Sequence, residues 1–173
     1  METVKEPYMT QKAIPALALL AALAISIAPL GADTVMVYTE ETGGKGDVKM
    51  SRGFLEDGVM SAFFEAGHIV FNAFPEMAEG KEEPEDFAER FSVRVAKSGG
   101  ANLLLEIGMK FNDDEEELIP KSASYRFYEL ENGDLLAEGR VALSEVGDRE
   151  KLDDEEMVKR LGEAVAVGAL GTF

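Results

Sequence analysis

At 173 residues the chain has room for one domain and a leader, and 46% hydrophobic with 29% charged residues is the balance of a globular protein. Thirty-four acids against seventeen Lys and Arg give a net charge of −17, which repels nucleic acid and anionic lipid headgroups and sets both aside as partners. Cysteine is absent, which excludes a disulfide, a thiol nucleophile, a Cys-ligated metal centre and the lipid-bearing cysteine of a bacterial lipoprotein.

Ala13 to Ala28 carries no charge, with Lys12 before it and Asp33 as the first acid after it. A basic flank, an apolar stretch and a small-residue exit are the layout of a secretory leader. Residues 1–32 are therefore expected to be a signal peptide or N-terminal membrane anchor, and residues 33–173 a single α/β domain. Met9 is a cleaner start than Met1, because it leaves only four residues ahead of the apolar run. Leu30-Gly31-Ala32 is the better cleavage site, since Pro29 obstructs cutting after Ala28. Uncut, residues 13–30 would supply about eighteen apolar residues, near the lower limit for an inner-membrane anchor. The expected location is periplasmic or secreted, with membrane contact only through this segment. A buried core helix is the bland alternative, but such a helix on a domain surface would show a polar face.

Asp33 to Glu40 alternates as a strand buried on both faces, and the polar loop Thr42 to Lys49 follows. Ser51 is a plausible N-cap for a helix carrying Leu55, Val59, Ala62, Phe63 and Ala66 on one face and ending at Gly67. His68 to Phe74 reads as a short strand stopped by Pro75. After an acidic stretch, Pro84 sits at the first turn of a helix whose stripe is Phe87, Ala88, Phe91 and Val95. Leu103 to Phe111 is a strand with Leu103, Leu105, Ile107, Met109 and Phe111 on its dry face. Ala123 to Leu130 and Leu135 to Leu143 form a hairpin around Asn132-Gly133, for which a two-residue turn is expected. That turn sets Leu130 against Leu135, Tyr128 against Ala137 and Tyr125 against Arg140. One hairpin face then holds Tyr128, Leu130, Leu135, Ala137, Val141 and Leu143 as core, and the other holds Tyr125, Phe127, Glu129, Leu136, Glu138 and Arg140. Asp153 or Asp154 caps a last helix buried through Met157, Leu161, Ala164 and Val165. The order is β-α-β-α-β-β-β-α, an α/β (α+β) domain with a two-layer mixed sheet of about five strands and helices packed on it.

A helix ending in Ala66-Gly67-His68-Ile69-Val70, a second ending in Ser98-Gly99-Gly100 before the strand Leu103 to Ile107, and the hairpin Tyr125 to Gly139 form one recurring pattern. It is similar to the small α/β domains of bacterial envelope proteins, namely the N-terminal domain of the Tol-system translocation protein, the curli-secretion channel lipoprotein and the lipoprotein activators of penicillin-binding proteins. The resemblance covers roughly Thr34 to Ser144 and is one of pattern. This chain lacks the lipoprotein cysteine and the membrane-spanning hairpins of the channel proteins. The resemblance implies a non-enzymatic envelope domain that binds another protein, and no functional residues carry over from it.

The chemistry-bearing residues are few. His68 is the only histidine and stands where a helix gives way to a strand, a structural position more often than a general base. Thr42 to Asp47 lacks the Ser or Thr after lysine that a phosphate-cradling loop requires, so it reads as a turn. Asp113 to Glu117 is five consecutive acids with no glycine to bend them around a cation, and reads as a solvated loop. No catalytic residue, metal site or cofactor is expected. Tyr125, Phe127 and Arg140 are the expected partner-binding residues, because aromatic and arginine side chains are enriched at interfaces, with burial of that face under a helix as the competing reading. The expected function is a non-enzymatic envelope module that binds or assembles with a protein. The alternatives are a small-molecule carrier with an apolar cavity and a hydrolase with two converging carboxylates.

Overall fold

A computed structural model describes residues 32–43, 49–73, 84, 86–111, 119–148 and 151–171. The expected leader up to Gly31, the core of the glycine-rich loop and the acidic run Asp113 to Glu117 lie outside the described residues. The folded unit comprises Ala32–Phe173.

Five strands build one mixed sheet: β1 (Thr34–Thr42), β2 (Ile69–Asn72), β3 (Leu103–Lys110), β4 (Ser122–Glu129) and β5 (Leu135–Ala142). Their spatial order is β2-β1-β3-β4-β5. β1 runs parallel to both β2 and β3, and β4 and β5 add antiparallel strands beyond β3. Four helices pack on the sheet: α1 (Lys49–Glu65), α2 (Phe91–Ser98), the single turn α3 (Leu143–Val146) and α4 (Asp154–Leu170). The mixed five-strand sheet and the order of its strands and three longer helices are those read from the sequence pattern, while the single turn α3 takes Leu143 out of the expected last strand.

The dry layer is made by α1 and α4. Their apolar faces, Leu55, Val59 and Phe63 from α1 and Met157, Leu161 and Val165 from α4, cover Val35, Val37, Leu105, Ile107, Met109 and Phe127. Each fully buried side chain of this size stabilises the fold by about 1.5–3 kcal/mol relative to exposure. The helices cross at a glycine pair. A Cβ on Gly58 would collide with the Lys159 carbonyl, and one on Gly162 with the Leu55 carbonyl, so the two backbones touch. The salt bridge from Lys159 Nζ to Asp57 Oδ2, at 2.7 Å, ties the same crossing at its rim. It raises the Lys159 ammonium above its ordinary pKa, first through the hydrogen bond to Asp57 and then through that carboxylate's charge.

Three boundaries differ from the sequence expectation. α1 begins at Lys49, so Ser51 lies inside its first turn and is buried instead of capping it. The helix expected from Pro84 breaks into a 3-10 turn, Phe87–Glu89, and the eight-residue α2, with Arg90 in extended backbone between them. α4 runs on to Leu170 through the apolar tail, and Asp153 caps it by accepting a hydrogen bond from the Glu156 amide at 2.8 Å.

α2 and its 3-10 turn lie on the opposite face of the sheet from α1 and α4. Val93 and Ala96 close over Met36, Tyr38, Leu104, Tyr128 and Leu130 in a second, smaller cluster. Phe87 packs against Tyr128 in a tilted arrangement with ring centres 4.9 Å apart and carries the Arg90 guanidinium 5.4 Å from the centre of its own ring. Two helical turns cover only part of this face. Among the described residues, no helix lies over the strand ends beyond Tyr38 and Glu106.

Candidate functional site

The residues on the uncovered face are dictated by strand pairing. Partners in register point to the same side, and side chains two apart along a strand share a face. Tyr38 lies beside Glu106, Glu106 beside Arg126, and Arg126 beside Glu138. Two residues further along β1, Glu40 lies beside Gly108, Gly108 beside Ser124, and Ser124 beside Arg140. These two rows cross four strands and line a groove of about 700 Å³, closed at one side by Pro84 and Arg90.

The first row is an ion-pair network. Glu106 Oε2 lies 3.0 Å from Arg126 Nη2 and 3.7 Å from Arg90 Nη1, and Ser92 Oγ donates to Glu106 Oε1 at 2.8 Å. The Glu106 side chain is only 11% exposed, so these partners compensate a charge largely withdrawn from water. The network also explains how α2 docks, because two of the three partners belong to α2 and its preceding residue. With its oxygens engaged by guanidiniums and a hydroxyl, Glu106 has the surroundings of a structural anchor for the groove wall.

The second row is different. Its middle is Gly108 and Ser124, small residues that make a low floor, and Ser124 Oγ donates to the Gly108 carbonyl at 3.3 Å. At the β5 end, Arg140 donates from Nε at 3.1 Å and from Nη2 at 2.9 Å to the Ser122 hydroxyl. Among the described residues no carboxylate forms an ion pair with Arg140, nor any cation with Glu40 at the β1 end. The row therefore presents an acid and a base at opposite ends of a small-residue floor.

The structure divides the three residues expected to bind a partner. Arg140 lines the groove, on the face expected to lie away from the main core. Phe127 is 0% exposed and points the other way, 5.7 Å from the Phe63 ring in the α1–α4 layer. Tyr125 reaches the groove lining, yet its ring is wedged between β5 and α4, where a Cβ on Gly139 would approach its Oη to 2.7 Å and where Gly168 leaves it space. The expectation of one shared face is corrected by the hairpin register. Tyr125 pairs with Gly139 instead of Arg140, and Phe127 with Ala137. A two-residue turn of the expected type needs positive φ at both central residues. Only Gly133 has it, at 78°, and the hairpin closes instead through Glu129 N to Asp134 O and Gly133 N to Glu129 O. The register shift between Phe127 and Tyr128 then moves β4 by one residue against β5, which exchanges its two faces. Tyr128 and Leu130 go to the α2 side, and Phe127 enters the main core.

His68 takes a structural place. Its amide donates to the Phe63 carbonyl at 3.0 Å and its ring meets Phe63 edge-on at 5.9 Å. Among the described residues no group of three His, Asp or Glu side chains could hold a metal ion, and no helix is long and apolar enough to cross a membrane. Sequence reading missed Tyr38, Glu40, Glu106, Ser124 and Arg126 as groove residues. The available signal was the polar alternation Glu106-Gly108-Lys110 beside Ser124-Arg126, which marks one wet half-face across two neighbouring strands.

No protein-family model matches the chain, and no curated protein matches it in sequence. Solved structures with a similar chain path include a PelC dodecamer from Paraburkholderia phytofirmans, at 9% identity and a TM-score of 0.46 over 81% of this chain and 89% of that one. Lipoprotein GNA1162 from Neisseria meningitidis is similar at 16% identity and a TM-score of 0.46, over 80% of this chain and 99% of that one. TolB from Acinetobacter baumannii is similar at 8% identity and a TM-score of 0.38, over 82% of this chain and 28% of TolB. The likeness to bacterial envelope proteins read from the sequence thus recurs among solved structures, again as a likeness of pattern.

Proposed function

We propose that this protein is a non-enzymatic binding module of the bacterial cell envelope, exported by its N-terminal segment, and that it holds a protein partner in the groove across β1, β3, β4 and β5. The observation that carries this reading is the half-covered sheet face. Among the described residues no helix covers these two rows, and their charged and small polar side chains are arranged in ordered cross-strand register, which suits a polar partner surface. Arg140 and Tyr125 remain in the proposed interface, Tyr125 through the part of it that lines the groove. Phe127 supports the interface from beneath. The export part of the proposal rests on the charge-free stretch from Ala13 to Ala28.

The test is site-specific photocrosslinking in intact cells. A crosslinking residue placed at Glu138, in the groove, is expected to give a discrete adduct with one envelope protein. The same residue at Glu155, on the exposed side of α4, is expected to give none. Equal labelling from both positions, or no adduct from Glu138, would sink the groove as the binding surface.

A further inference from the structure

Resting on that reading, we infer that the partner element seated in the groove is an extended peptide segment carrying an acidic side chain and, four residues further along, a basic one. The acid docks on Arg140 and the base on Glu40.

Several groove charges are already engaged. Arg90 and Arg126 both form ion pairs with Glu106, so neither guanidinium is without a carboxylate partner. Arg140 donates twice to a neutral hydroxyl and has no carboxylate partner among the described residues. In a protein of net charge −17 such an arginine is a conspicuous local reversal of sign. Its Nε and one Nη2 hydrogen are directed at Ser122, which fixes the plane of the guanidinium. The end formed by Nη1 and the second Nη2 hydrogen remains, and that end accepts a carboxylate in a two-pronged contact. Holding the side chain in advance lowers the entropy lost when the ligand arrives.

The spacing comes from the sheet. Glu40, Gly108, Ser124 and Arg140 occupy four adjacent strands in register, so the end residues are three inter-strand steps apart, about 14 Å between Cα atoms. An extended peptide advances about 3.4 Å per residue, so four residues cover the same distance. Residues i and i+4 of such a peptide point to the same side, and so does residue i+2. Residue i+2 would come down over Gly108 and Ser124, which form a low floor in the lining. Length, side-chain direction and charge sign thus agree on one ligand.

The experiment titrates the full chain, labelled with 15N, with a capped five-residue peptide that begins with glutamate, ends with lysine and has small neutral residues between. Amide shifts are expected to cluster at Glu40, Gly108, Ser124 and Arg140. Replacing the peptide's glutamate by glutamine, or making Arg140→Gln in the protein, is expected to raise Kd about tenfold, as for a lost hydrogen bond to a charged group. Glu40→Gln is expected to weaken binding independently from the other end. Arg140→Glu should then prefer a peptide with lysine at both ends. Unchanged binding after Arg140→Gln, or shifts located away from the groove, overturns the inference. The photocrosslink from Glu138 separates the two readings. If it persists while the peptide does not bind, the groove is an interface for a partner of other chemistry, and if it is absent both readings fail.

Discussion

The two faces of the sheet solve different problems with the same strands. On one face α1 and α4 lie backbone to backbone across Gly58 and Gly162, and the side chains beneath them are aliphatic and aromatic. On the other face a helix of eight residues stops short, and the strand ends past it carry Glu40, Glu106, Arg126, Glu138 and Arg140. The first face has close packing and tolerates little change in volume. The second is organised by charge and register and leaves surface free. Stability and recognition are thereby assigned to opposite sides of one sheet, with β4 serving both, since Tyr125 and Phe127 face one way and Ser124 and Arg126 the other.

That division predicts a gradient of mutational effects. Phe127→Ala removes a fully buried ring from the dry layer and is expected to cost about 3–5 kcal/mol, read as a shift in the urea midpoint followed by circular dichroism. A loss below 1 kcal/mol would mean that Phe127 is not core, and the comparison between faces would break. Gly162→Ala pushes a methyl group into the Leu55 carbonyl and is expected to cost about 2–3 kcal/mol, checked by thermal unfolding. Glu106→Gln keeps the volume but removes the charge that holds Arg90 and Arg126, with an expected loss of about 1 kcal/mol and loosening of α2 seen in amide exchange. Arg140→Gln is expected to stay within about 0.5 kcal/mol of the parent while the Glu138 crosslink weakens, the sharpest statement that the two faces do separate jobs.

The smallest effect concerns pH. The folded-state pKa of Lys159 is raised, so the contribution of its pair with Asp57 is complete below the unfolded pKa, about 10.5, and fades as pH rises through the higher folded value. Comparing the parent with Asp57→Asn in alkaline unfolding should show the difference between them shrinking only at the alkaline end.

The pattern of apolar residues was enough to read five strands, the order of the helices and most of the main core, because burial on one face imposes a period that survives in the sequence. β3 is the plainest instance, with Leu103, Leu105, Ile107, Met109 and Phe111 all buried as their alternation requires. The candidate site was less legible for two physical reasons. The hairpin register depends on backbone dihedrals at Asn132 and Gly133, and those two residue types suit more than one turn. A shift of a single residue there carried Phe127 from the expected surface into the core. The groove also depends on where a helix is missing. The stripe Phe87, Phe91 and Val95 looked continuous, but the extended backbone at Arg90 divides it, and among the described residues no helix lies over Glu40, Ser124 and Arg140 in the groove.

The meeting of Gly58 with Gly162 joins helices from opposite ends of the folded unit. During synthesis α1 emerges well before α4, the partner that seals it, so the dry layer has no finished form until α4 has been made. Contacts this distant in sequence also slow folding, because a long loop must close before they can form.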